Sequence, residues 1–134
     1  MNRRNAFTLI ELLLVLVILA VLAAVVVPKF THRSEDAKLT AAKTDISNME
    51  TALDAFEIDC GRTPTSEEGL QALVQNPANL PDWKGPYLKR LNMDPWQHPY
   101  VYVSPGQHNT SGIDLYSMGP DGREGNDDIT NWQQ

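Results

Sequence analysis

Apolar and polar positions divide the chain into stretches with different periods. From Leu9 to Val27 every residue except Glu11 is apolar. A helix of that length is about 30 Å long at about 1.5 Å rise per residue, the hydrocarbon thickness of a bilayer. Beyond Pro28 the pattern changes. Leu39, Ala42, Ile46, Met49, Leu53 and Phe56 recur three and four apart, while Asp36, Lys38, Lys43, Asp45, Glu50, Asp54 and Glu57 fall off that stripe. This spacing predicts an amphipathic helix with one face on a core. Pro28 is expected to kink or loosen the preceding turn, and Gly61 to stop the helix after Cys60.

After residue 60, proline and glycine concentrate and the apolar runs shorten. TPTSEEGLQALV, residues 63–74, predicts a short helix with Thr65 and Glu68 as a capping box and Leu70, Leu73 and Val74 as its apolar face. LPDWKGPYL, residues 80–88, reads as a loop carrying core-type aromatics. PYVYV at 99–103 and IDLYSM at 113–118 read as strands separated by the turn SPGQHNTSG. The fold class is α+β: a long N-terminal helix, half transmembrane and half amphipathic, packed on a small domain with a short helix and antiparallel strands.

Composition narrows the function classes. The formal net charge is −6 over 134 residues, and there is no Arg-rich stripe, which opposes nucleic-acid binding. Cys60 is the only cysteine, so an intrachain disulfide is excluded. Residues 61–134 are few for an independent core, and such domains often need a staple. His32, His98 and His108 have no metal-type or triad-type spacing and read as surface residues. Glu67–Glu68 and Asp127–Asp128 are neighbours in sequence, not facing carboxylates of a hydrolase. Without a nucleophile motif or a phosphate loop, the chain does not read as an enzyme. Trp83, Trp96 and Trp132 read as core.

Glu11 raises the sharpest question. A carboxylate in a membrane span costs on the order of 2.5–3.5 kcal/mol on insertion scales and usually has a partner. A cleaved secretory signal would carry a shorter apolar run and a small-x-small site before Pro28. A plain anchor remains open, and basic residues on both sides of the span (Arg3 and Arg4 before it, Lys29, Arg33 and Lys38 after it) leave its orientation unsettled. Basic residues, a small residue and Phe-Thr-Leu-Ile-Glu before a long apolar helix resemble the class III signal of type IV pilins and pseudopilins. That resemblance implies a leader of residues 1–6, cut by a prepilin peptidase between Ala6 and Phe7, with N-methylation of Phe7. Ala6 stands where the family usually has Gly. It also implies an assembly role for Phe7 and Glu11, the freed amine of Phe7 compensating the Glu11 carboxylate within or between subunits. The expected divisions are then 7–28 for the transmembrane and assembly helix, 29–60 for the amphipathic stalk and 61–134 for the small domain, a pilin-like architecture.

SMGPDGREGNDDITNW holds Asp121, Glu124, Asp127 and Asp128 within eight residues, interleaved with Gly119, Gly122 and Gly125. Hard oxygen donors on a flexible loop suit calcium, which takes about six to eight oxygens. The EF-hand pattern is absent, and a solvated acidic turn is the alternative. GRTPTSEEGLQALV, GPYL, MDPW, PYVYVSPG, DLYSMGPDG and NDDITNW, in that order, resemble the major pseudopilins of type II secretion systems. That resemblance implies calcium in this loop, with side-chain oxygens from Asp121, Asp128 and Asp127 and carbonyls from Met118 and Gly125.

The function it implies is a homo-polymeric filament subunit that helps export folded proteins from the periplasm. It would be held in the inner membrane by a single span with its C-terminal domain in the periplasm. Its partners would be minor pseudopilins, the inner-membrane assembly platform and the prepilin peptidase. Two alternatives remain: a type IV pilus subunit for adhesion or motility, which commonly carries a C-terminal disulfide loop that one cysteine cannot make, and an anchored binding module that does not polymerise.

Overall fold

The computed structural model describes residues 6–133, with side chains throughout except at residues 27–32. The leader residues Arg3 and Arg4 lie outside the described residues, as does the side chain of His32. One helix, α1, runs from Leu9 to Cys60 and is followed by a 3₁₀ turn at Leu70–Leu73 and three short strands, β1 (Val101–Val103), β2 (Asp114–Ser117) and β3 (Ile129–Thr130). The chain divides into two compact units between Ala37 and Lys38.

The first unit is helical from Leu9, and its window Leu9–Val26 has a mean hydropathy of 3.2 with none of it buried. Length and composition suit a membrane span. Thr8 opens the helix with a reciprocal cap: the Glu11 N–H donates to Thr8 Oγ1 at 3.3 Å and the Thr8 N–H donates to Glu11 Oε2 at 3.4 Å. Two of the donors that a helix start leaves open are thereby satisfied. The helical backbone continues through Pro28.

In the second unit the expected stripe forms the core wall. Ala42, Ile46, Met49, Leu53 and Phe56 are all buried, and Ala52 joins them. Leu39, expected to lead the stripe, is 38% exposed and lies outside the core. Leu70, Ala72, Leu73, Leu115 and Ile129 complete the cluster from the opposite side. Each large apolar side chain buried this way contributes about 1.5–3 kcal/mol. Helix α1 stops where Gly61 enters the left-handed region at φ +71 while its N–H still reaches the Glu57 carbonyl at 2.8 Å.

The helix expected over 63–74 is reduced to the single 3₁₀ turn Leu70–Leu73. Its capping box does form: the Thr65 N–H donates to Glu68 Oε2 at 2.8 Å and the Glu68 N–H to Thr65 Oγ1 at 3.2 Å. Gly69 follows at φ +59, which a right-handed helix cannot accommodate, so the box closes a turn instead. Arg62 holds the same carboxylate through two bonds of 2.7 and 2.8 Å.

The strands form one antiparallel sheet in the order β1-β2-β3, pairing Tyr102 with Leu115 and Ser117 with Ile129. The expected hairpin is β1–β2. β3 is additional, and it makes β2 the central strand, buried along its whole length. The connecting turn is organised by buried Asp114, which accepts the N–H groups of Gln107, His108 and Asn109 at 2.8–2.9 Å. Burial alone would raise this carboxyl, but those N–H groups and the His108 ring outweigh it and hold it below the ordinary range. The Trp83 indole N–H donates to the Ala72 carbonyl at 2.9 Å, and Trp83 and Trp96 pack against the core as expected. Trp132 instead stacks on His108, ring centroids 4.3 Å apart. His98, expected at the surface, is half-buried.

Candidate functional site

Two regions carry the candidate chemistry. At the N-terminus, Ala6 and Phe7 are exposed in irregular backbone immediately before the capped helix, and Phe7 is 76% exposed. A peptidase needs its scissile bond accessible, and Ala6 and Phe7 are both exposed outside the helix. Glu11, expected to await an amine, already has a partner in its own chain, the N–H of Thr8. Thr8 went unassigned on the sequence, yet the T-x-x-E spacing that marked Thr65 and Glu68 also marks Thr8 and Glu11.

The second region is the loop from Met118 to Asp128, which joins β2 to β3. Gly119 and Gly122 adopt φ +65 and +67, and these left-handed residues fold the loop's first half. An added Cβ at Gly119 would meet the Asp127 carbonyl oxygen at 2.6 Å and Asp127 Oδ2 at 3.2 Å, so Asp127 lies over the loop entrance. Gly125 has Asp127 Oδ1 on its other side, 3.4 Å from where its Cβ would be.

Asp121 Oδ1 accepts the Arg123 N–H at 2.9 Å, and Asp128 Oδ2 accepts the Gly125 N–H at 3.2 Å. Asp128 Oδ1 is buried without any hydrogen-bond partner. The structure therefore places Asp127 and Gly125 side by side and ties Asp128 to Gly125. It does not bring Asp121 into the same cluster: among the described residues no three acidic, histidine or cysteine side chains converge on one point. The loop's field is felt next door, where burial first, and then the charges of Glu124, Asp128 and Asp114, push the Tyr116 hydroxyl up.

A hard cation fits these residues by two observations. Carboxylate and carbonyl oxygens are the donor set that calcium takes. A buried carboxylate oxygen with no partner is costly unless a proton donor or a cation reaches it, and Asp128 Oδ1 is such an atom.

Beneath the loop lies a network that the sequence did not reveal. Asp94, 1% exposed, accepts the Ser117 hydroxyl at 2.5 Å, and Ser117 Oγ accepts the Gly119 N–H at 3.1 Å. His98 Nδ1 lies 3.1 Å from the Gly119 carbonyl oxygen. The contacts of Asp94 with Ser117 and of His98 with Gly119 join residues more than twenty positions apart, so no local spacing announces them.

Comparison with known proteins closes the assignment. The family described as "Type II secretion system (T2SS), protein G" matches residues 29–132, and the prokaryotic N-terminal methylation motif matches residues 1–27. The type II secretion system core protein G of Pseudomonas aeruginosa is 48% identical over 140 aligned positions, covering 98% of this chain and 96% of that one. That of Klebsiella pneumoniae is 45% identical at the same coverage of both chains. The crystal structure of the major pseudopilin from the type 2 secretion system of enterohaemorrhagic Escherichia coli superposes with a TM-score of 0.68 at 37% identity, covering 81% of this chain and 98% of that one. A pilin-type methylation motif, an exposed apolar helix and a matching α+β unit thus occur in one chain, which belongs to the protein G family of the type II secretion system.

Proposed function

We propose that this chain is the major structural subunit of a type II secretion pseudopilus. It is held in the inner membrane by Leu9–Val26, with the unit from Lys38 onward in the periplasm, until assembly. A prepilin peptidase cuts between Ala6 and Phe7, and the new amine is methylated. Subunits then polymerise through the N-terminal helix, with minor pseudopilins and the membrane assembly platform as partners, to help export folded proteins. The observation that carries this reading is the wholly exposed apolar helix Leu9–Val26 behind an exposed Ala6–Phe7 bond, on a chain of the protein G family. Such a surface needs lipid or other helices around it. The role is assembly, with no chemical step.

Within that role Glu11 serves twice. In the uncut chain it caps its own helix through Thr8. After the cut it lies one turn from the Phe7 amine, and a charge pair there fixes the axial register of packed helices. The loop holds calcium through Asp121, Asp127 and Asp128 with carbonyls of Met118 and Gly125. When bound, the ion supplies the positive charge that lets the acidic side chains approach one another.

Mass spectrometry of the membrane-extracted protein, combined with crosslinking, tests the reading. A methylated Phe7 terminus and a ladder of crosslinked oligomers are expected. A mature chain still beginning at Met1, or one beginning beyond Pro28, overturns it. A correctly processed chain that gives no ladder points instead to a non-polymerising anchor.

A further inference from the structure

The acidic loop leaves β2 through Gly119 and Gly122, both in the left-handed region. Glycine has the largest conformational freedom to lose, so such a turn does not hold its shape unaided. Three side chains from β2 and the 94–98 turn hold it. Asp94 accepts the backbone N–H groups of Trp96 at 3.0 Å and His98 at 2.7 Å, which fixes the turn that carries His98. The same carboxylate fixes Ser117, whose oxygen receives the Gly119 N–H.

His98 closes the other side. Its Nδ1 lies 3.1 Å from the Gly119 carbonyl oxygen and 3.8 Å from Asp94 Oδ2. Both neighbours are acceptors, so the ring proton sits on Nδ1 and is donated to the Gly119 carbonyl. The far edge of the ring faces Gly122, where an added Cβ would come within 2.7 Å of Nε2. One imidazole therefore touches both left-handed glycines.

We infer that His98 is the positioning residue of the cation loop: it holds the backbone of residues 119–122, which carries Asp121, so calcium affinity depends on it although it donates no ligand. This rests on the proposed calcium reading of the loop. Met118 precedes the Gly119–Gly122 stretch and Asp121 lies within it, so rotation at either glycine changes where these two proposed ligands stand relative to Asp127 and Asp128. A loop whose backbone is partly held beforehand has less freedom left to lose on binding. Asp94 and Ser117 are wholly buried and hold the fold as well as the loop, whereas 31% of the His98 side chain is exposed.

The test is calcium titration calorimetry on the full chain in detergent micelles, using the parent, His98→Leu and His98→Asn. Leucine fills the space without a donor, and asparagine places an amide N–H where Nδ1 stands. His98→Leu should weaken calcium binding about tenfold or more, and His98→Asn should recover most of that loss, as expected of a partner one step behind the ligands. His98→Leu should lower the melting temperature more in calcium than in chelator. Leucine binding as tightly as the parent overturns the inference, as does an equal fall in melting temperature with calcium and with chelator. A parent that shows no binding overturns the calcium reading itself, and this inference with it.

Discussion

Asn131 Nδ2 donates a 3.0 Å hydrogen bond to Glu50 Oε1 on α1, across 81 positions of sequence. The same side-chain amide donates to the Ile113 carbonyl at 3.1 Å and accepts the Leu115 N–H at 3.0 Å. The Asn131 N–H returns to the Leu115 carbonyl at 3.0 Å. One residue thus fastens the chain after β3 to both the central strand and the helix. It follows the acidic loop by three positions.

Removing this clasp should destabilise the second unit. Asn131→Ala strands the N–H of fully buried Leu115, and an unsatisfied buried donor costs about 1–3 kcal/mol. Glu50→Ala removes only one of the three side-chain bonds and leaves Asn131 its strand partners, so its effect should be smaller. Thermal melting of the two variants checks the order. A Glu50 variant that melts lower than the Asn131 variant would show that the helix contact, not the strand contact, dominates.

Acid should weaken the turn that Arg62 and Glu68 close. The Arg62 guanidinium beside Glu68 lowers its carboxyl to about 2, against the opposing effect of burial and with help from Thr65. A carboxyl lowered by folding contributes stability that is fully present above its unfolded value and is lost as pH falls through the folded one. The window is therefore from the ordinary carboxylate range near 4.5 down to about 2. Solvent screening at the half-exposed Arg62 reduces the contribution to about 1 kcal/mol. Glu68→Gln keeps the capping geometry and should flatten that part of the curve of stability against pH. A variant whose curve parallels the parent below pH 5 removes the ion pair from the account.

The N-terminal cap separates two roles of Glu11. Glu11→Gln keeps a side chain able to cap Thr8 but loses the charge, whereas Glu11→Ala loses both. Neither should impair membrane insertion, since each makes the span less polar. Both should damage assembly if the Phe7 amine needs a carboxylate, and Thr8→Ala should cost about 1 kcal/mol of helix start without that defect. Crosslinking ladders and secretion measured across the three variants decide it. Normal assembly by the glutamine variant leaves capping as the whole role of Glu11.

The parts of this fold legible in the sequence are those with a local period or a local stop. Ala42 to Phe56 announced their buried face by spacing alone, Gly61 announced the end of α1, and alternation in 99–103 and 113–118 announced β1 and β2. Leu39 broke the extrapolation because the small domain's cover begins near Ala42. β3 is two residues long and has no period to read. The 63–74 segment carried a true capping box, yet Gly69 at φ +59 cut the helix to one 3₁₀ turn. At the loop, the acidic residues were visible as composition. Their support from Asp94, Ser117 and His98 was not, because it depends on pairing between distant segments.

Calcium should determine how firmly the second unit folds. Among the described residues its free cysteine forms no disulfide, and its core is small, so a bound ion is the staple such a domain lacks. Without the ion, Asp121, Glu124, Asp127 and Asp128 repel one another across one short loop, and Asp128 Oδ1 stays buried and unpaired. A ligand that binds only the folded state stabilises it by about 2.7 kcal/mol at a hundredfold excess over its Kd. For a unit of this size that is a rise in Tm of about 10 °C or more. Asp128→Ala removes the orphaned oxygen and a proposed ligand together, and Asp121→Ala removes a proposed ligand that accepts the Arg123 N–H. Both should melt lower in calcium and lose their response to chelator. Magnesium should substitute poorly, because it demands a tighter octahedron than a glycine-rich loop provides. Melting the full chain in detergent micelles with calcium, with magnesium and with chelator makes the comparison. Three identical curves would return the loop to an ordinary solvated turn, and leave Asp128 Oδ1 to be satisfied by water.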